Sequence, residues 1–130
     1  RNPKGEVRWP SEEPTLLCEG IDMSFLLNQC AYCDLKVKNR LMVFFDMATS
    51  FLHDVSVVSP DNTRDLQRIY HDFAGTAGAI GATELQDMAL SLDLSLQEGK
   101  FDEGISEKLS KQTAEMISRI QASSISSTVV

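Results

Sequence analysis

The sequence predicts an all-α fold, an up-and-down four-helix bundle with an additional short N-terminal helix. Three observations lead there. Apolar residues recur at helical spacing along four long segments, turn and cap residues separate those segments, and no stretch alternates polar and apolar over strand length. Val55-Ser56-Val57-Val58 comes nearest to a strand and is too short. Amphipathic helices joined by short connections bury their apolar stripes best as antiparallel neighbours.

The elements follow in order. Residues 1–19 hold Pro3, Gly5, Pro10 and Pro14 among mixed charges, the composition of a linker, with Trp9 available to drape over the bundle. The bundle itself is expected over 20–121. A short amphipathic segment, about Asp22 to Cys30, carries Met23, Phe25, Leu26 and Leu27, with Asp22 or Ser24 as its cap. The next helix is expected from an Asp34 N-cap to about Val55, with Val37, Leu41, Phe44, Phe45, Ala48, Leu52 and Val55 at helical spacing. Pro60, Asp61 and Asn62 make the turn after it. A third helix starts near Thr63 and ends at Gly81. A fourth, about Thr83 to Gln97, turns Leu85, Met88, Ala89, Leu92 and Leu96 inward and is closed by Gly99. A fifth, from about Asp102, uses Ile105, Leu109, Thr113, Met116 and Ile120, and the serine-rich residues 122–130 read as a tail.

Composition narrows the function. A chain of 130 residues is one domain with room for a real core. Its formal net charge of -7 argues against a nucleic-acid phosphate backbone as partner, because such binding rests on clustered Lys and Arg. No apolar run approaches the roughly 20 residues needed to cross a bilayer, and no signal peptide is visible. Three cysteines, Cys18, Cys30 and Cys33, make a poor disulfide framework, and a reducing cytoplasm is the expected location. The chain begins at Arg1 rather than methionine, which reads as a piece of a longer polypeptide, compatible with a parent anchored in the inner membrane.

The third helix carries the most informative stretch, Tyr70-His71-Asp72-Phe73-Ala74-Gly75-Thr76-Ala77-Gly78-Ala79-Ile80-Gly81. At about 100° per residue, Leu66, Ile69, Tyr70, Phe73, Ala77 and Ile80 share one apolar face, and His71 lies roughly 140° from Leu66 on the polar side. Gly75 and Gly78 follow His71 by about one and two turns, and Arg68 and Arg64 precede it likewise. A glycine inside a helix costs roughly 1 kcal/mol relative to alanine. Two on one exposed face point to close approach of another molecule, with an outward imidazole at its centre.

These residues resemble the histidine-containing phosphotransfer (HPt) domain, whose phosphorylatable histidine stands in a His-x-x-Lys-Gly pattern followed by a hydrophobic residue and a glycine. His71, Gly75, Ile80 and Gly81 match it, and Ala82 to Ala89 looks like the start of the family's next helix. The resemblance covers residues 20–121. It implies that His71 accepts a phosphoryl group from a receiver-domain aspartate and passes it to a response regulator. By the same resemblance the parent is a hybrid two-component sensor histidine kinase. The chain itself would hold no cofactor, Mg²⁺ would sit in the partner receiver domain, and the isolated module would be a monomer without stand-alone activity. Ala74 stands where the family has lysine, and Arg68 is the candidate partial replacement for that charge. Arg64, Arg68, Ala74, Gly75 and Gly78 are expected to form the docking and phosphoryl-supporting patch. The rival from another class is a non-catalytic helical interaction bundle that docks receiver domains without transferring phosphate.

Other motifs weigh less. Cys30-Ala31-Tyr32-Cys33 has the spacing of half a zinc site or a redox pair, but only Cys18 and His53 offer further ligands and no βαβ context exists. Small buried side chains are the expected reading, and no metal is expected. His53 falls about 120° from Leu41 and is expected on the surface. Gly75-x-x-Gly78-x-x-Gly81 lacks the preceding strand of a nucleotide-binding loop. Glu12-Glu13 and Asp102-Glu103 read as a solvated linker and a helix N-terminus.

Overall fold

In the computed structural model, which describes residues 20–122, the Asp22 side chain starts the first helix. Its Oδ1 accepts a hydrogen bond from the Phe25 amide at 3.0 Å, and α1 runs Met23–Gln29. Four longer helices follow: α2 (Asp34–Val57), α3 (Thr63–Ala79), α4 (Thr83–Gln97) and α5 (Glu103–Ala122). Every regular element among the described residues is helical, as the periodicity predicts. Trp9, Cys18, the linker and residues 123–130 lie outside the described residues. Ala122, expected as the first tail residue, is the last residue of α5.

Both ends of α2 differ from the sequence reading. Cys33, not Asp34, occupies the N-cap of α2 with extended backbone, and it makes no side-chain cap bond. Asp34 is the first helical residue, where negative charge suits the positive helix end, and it pairs with Lys38 at 3.3 Å. α2 also continues two residues beyond Val55, to Val57.

The start of α3 is capped reciprocally. Asn62 Oδ1 accepts from the Asp65 amide at 3.2 Å, and Asn62 Nδ2 donates to Asp65 Oδ2 at 2.8 Å. Its end is set by Gly81, whose φ of 81° lets Ala82 N reach back to Ala77 O at 2.9 Å. Gly99 does the same for α4 at φ 78°, with Lys100 N donating to Ser95 O at 2.9 Å.

One apolar core runs between the helices. α2 contributes Val37, Leu41, Phe44, Ala48 and Phe51; α3 contributes Leu66, Tyr70, Phe73, Ala74 and Ala77; α4 and α5 close it with Leu85, Leu92, Leu109 and Ile120 among others. Phe51 stacks on Phe73 with centroids 4.0 Å apart and meets Tyr70 edge-on. Full burial of such side chains contributes about 1.5–3 kcal/mol each. Phe45, Leu52 and Val55, expected inside, are only partly buried against this core. α2 packs on α3 and α5, and α4 packs on α3 and α5, with α3 and α4 the most extensively joined pair. α1 lies across the α3–α4 turn, where Asp22 N donates to Gly81 O at 2.9 Å. Among the described residues no helix is long and apolar enough to cross a membrane.

Candidate functional site

The core face of α3 fixes where His71 points. With Leu66, Tyr70, Phe73 and Ala77 buried, the helix turns His71 outward, and its side chain is 68% exposed. The ring is not free to swing. Nδ1 lies 3.0 Å from Oδ2 of Asp93 on α4, a side chain only 7% exposed. The other carboxylate oxygen of Asp93 accepts from Gln97 Nε2 at 3.4 Å, a longer contact from one turn further along α4.

This arrangement assigns the imidazole nitrogens. A carboxylate oxygen accepts hydrogen bonds, so in the neutral ring this contact favours the tautomer with the proton on Nδ1 and the lone pair on Nε2. No hydrogen bond to Nε2 is made by the described residues, and that nitrogen sits on the side of the ring away from Asp93. In that tautomer the ring presents one outward nitrogen with a free lone pair.

Gly75, one turn on, is exposed, and a Cβ built there meets nothing within 4 Å. Gly78 behaves differently. It is half-buried, and a Cβ there would run into the Gln86 side chain of α4. The docking surface expected at the two glycines is open at Gly75 and partly obstructed at Gly78 by the Gln86 side chain. Ala74 needs a firmer correction. It is 2% exposed, so it offers no surface to a partner. Its position about 60° from His71 on the core side turns it into the bundle.

Arg64 is exposed in the first turn of α3. Arg68 is exposed too, and its Nη2 pairs with Asp65 Oδ1 at 3.4 Å, one turn before it rather than toward His71. On that flank α2 and α3 enclose a groove of about 600 Å³ whose walls include Asp46, Asp54, Asp65 and Asp72. Thr76 Oγ1 touches Met47 Sδ at 3.9 Å across the groove. Exposed apolar side chains stand on the helices either side of α3, Val43 and Met47 on α2, Leu90 and Leu94 on α4.

Asp93 is the site residue that the sequence reading missed. The available signal was its spacing: it stands four residues after Ala89 and three before Leu96, which places a carboxylate on the inward stripe of α4. His53 is exposed, as expected from its helical position. Cys30 and Cys33 are free thiols, and burial pushes the Cys30 thiol up. Among the described residues no three His, Cys, Asp or Glu side chains are gathered as a metal site. No family model matches the chain, and neither the curated proteins nor the solved structures yield a match.

Proposed function

We propose that this chain is a histidine phosphotransfer module of a two-component phosphorelay, built as an up-and-down four-helix bundle with α1 appended. His71 is its phosphoacceptor. The observation that carries the reading is the His71–Asp93 pair, an exposed imidazole whose inner nitrogen is held by a buried carboxylate at 3.0 Å.

The chemistry follows from that geometry. The Nε2 lone pair attacks the phosphorus of a receiver aspartyl phosphate. The N–P bond forms, the P–O bond to the aspartate breaks, and the bonding pair leaves with the carboxylate. In the neutral ring with its proton on Nδ1, Nε2 carries none, so none has to be removed. The ring becomes cationic on transfer, and the Asp93 carboxylate at Nδ1 stabilises that charge. The onward step to a response regulator is the same exchange in reverse. The partner receiver brings the Mg²⁺ and the aspartate, and this chain supplies the aimed nitrogen and the open ground at Gly75.

The parent is a hybrid sensor histidine kinase with this module in the cytoplasm, and its partners are receiver domains. Ala74 in place of lysine favours the second reading, a bundle that docks receivers without transfer, since no cationic side chain of the described residues is hydrogen-bonded at His71. Incubation with a phosphorylated receiver domain separates the two. Acid-labile, alkali-stable label on the protein, absent in His71→Gln, supports transfer. Receiver binding without label overturns it in favour of docking alone.

A further inference from the structure

Phosphotransfer leaves one motif unused, Cys30-Ala31-Tyr32-Cys33. Cys30 is the C-cap of α1 and Cys33 the N-cap of α2, so the two cysteines terminate consecutive helices. Between them the chain reverses tightly. Cys33 N donates to Cys30 O at 3.0 Å, and Ala31 and Tyr32 both take left-handed backbone, with φ of 53° and 57°. A first-to-fourth-residue bond closed over two positive-φ residues is a type I′ β-turn. Left-handed backbone is unfavourable for residues with a Cβ, and two in succession are uncommon. The turn is held onto α1 by Ala31 N donating to Asn28 O at 3.2 Å and Tyr32 N donating to Leu27 O at 2.8 Å.

A β-turn keeps its first and last Cα atoms within about 7 Å. Disulfides bridge Cα separations of about 4.4–6.8 Å. The backbone thus holds the two free cysteines at the span a disulfide requires. Burial raises the Cys30 thiol, and the neighbouring Cys33 adds to that rise against the opposing charges of Arg40 and Lys36.

We infer that Cys30 and Cys33 form a reversible disulfide across this turn, with a low-molecular-weight disulfide as oxidant. Burial sets the order of events. Cys30 is 1% exposed, whereas Cys33 is partly exposed and meets the reagent first. The Cys33 thiolate attacks one sulfur of the oxidant, RSSR, forming a mixed disulfide and releasing RS⁻. Cys30 then loses its proton, attacks the Cys33 sulfur across the turn and expels the second RS⁻. Two protein thiols are oxidised to one disulfide, RSSR is reduced, and the two thiol protons end on two RSH. The bond staples the end of α1 to the start of α2. Because α1 covers Gly81 at the end of α3, the staple fixes that short helix against the bundle. This chemistry is independent of His71.

The test uses the full chain carrying Cys18→Ser, equilibrated in glutathione buffers from fully reduced to fully oxidised, acid-quenched, alkylated and mapped by peptide mass. The expected product is two hydrogens lighter, with Cys30 and Cys33 linked, and it reverts on adding dithiothreitol. Cys30→Ser in the same background accumulates a glutathione adduct on Cys33 instead. A Cys18→Ser chain that stays a dithiol, or stops at the Cys33 adduct, overturns the inference. The equilibrium constant for closing the disulfide should also be at least tenfold higher in the folded protein than in urea. An equal or lower constant in the folded protein overturns it as well.

Discussion

His71 and Asp93 join two helices through a contact that is open on one side and dry on the other: Nδ1 to Oδ2 at 3.0 Å, with the imidazole 68% exposed and the carboxylate 7% exposed. The two halves have different tasks. A buried carboxylate with a second contact to Gln97 gives Nδ1 a steady acceptor, which orients the ring and in its neutral form favours the proton on Nδ1. The exposed half leaves Nε2 accessible to a docking domain.

Asp93→Asn therefore tests the proposed chemistry at its base. An amide presents a donor as readily as an acceptor, so the tautomer with hydrogen on Nε2 gains population and the outward lone pair is lost. Transfer from a phosphorylated receiver should fall on the order of 10²-fold, as misdirected reacting groups do. Receiver affinity and helical content should hold. Nitrogen NMR of His71 in the free protein should pass from one tautomer to a mixture, and Asp93→Glu should restore part of the rate. Wild-type rates with Asn would remove Asp93 from the mechanism.

Gly75 and Gly78 differ in a way that stability measurements read directly. Space for a Cβ at Gly75 is open, so Gly75→Ala should stabilise the fold by about 1 kcal/mol through helix propensity. At Gly78 the Gln86 side chain must move aside, and the gain should be smaller or absent. Urea denaturation of both variants checks this ordering. Gly75→Leu should keep the fold and weaken receiver docking, measured by titration calorimetry.

Much of this site was legible in the sequence because it depends on one helix. The register Leu66, Tyr70, Phe73, Ala77 is set within α3 and turns His71 outward without reference to any other element. What depends on two helices was not legible. Asp93 is buried where α4 packs on α3, and a single helical wheel treats an acid as solvated. Packing within the bundle also buries Ala74, which by motif position alone belongs to the surface patch. The α1–α2 turn escaped for a different reason. Left-handed backbone is normally announced by glycine or asparagine, and here Ala31 and Tyr32 adopt it.

Arg68 offers a test of whether charge near His71 matters to transfer. Its pairing with Asp65 is an exposed, single contact at 3.4 Å, of a kind that contributes little to stability. Arg68→Ala should leave the urea midpoint unchanged and slow phosphoryl transfer several-fold, within the range expected for losing one exposed charge from a docking site. An unchanged transfer rate would mean that Arg68 does not supply the phosphoryl-supporting charge proposed for it.

Thr113 is fully buried in α5, and its Oγ1 finds no hydrogen-bond partner among the described residues. A hydroxyl desolvated without compensation is unfavourable, and valine has nearly the same shape without it. Thr113→Val should raise stability by about 1 kcal/mol, seen as a higher urea midpoint at unchanged slope. Phosphotransfer should not respond, since α5 carries none of the proposed site residues.

Tyr70 gives the fold an alkaline limit. Burial raises its hydroxyl above the ordinary value of 10.0, while the 2.9 Å hydrogen bond to Ser106 works in the lowering direction. The folded state therefore holds the phenolic proton more tightly than the unfolded chain does. Below pH 10 both states keep the proton, and the stabilisation is complete. As pH rises through 10 the unfolded chain ionises first, and stability falls until the folded-state value is passed. Tyr70→Phe deletes this titration along with the Ser106 bond. The variant should start about 1 kcal/mol less stable at neutral pH, the worth of one hydrogen bond. It should also lose less stability than wild type between neutral pH and the alkaline range above 10. Chemical denaturation across that range measures both effects, and parallel curves for the two proteins would show that Tyr70 does not set the alkaline limit.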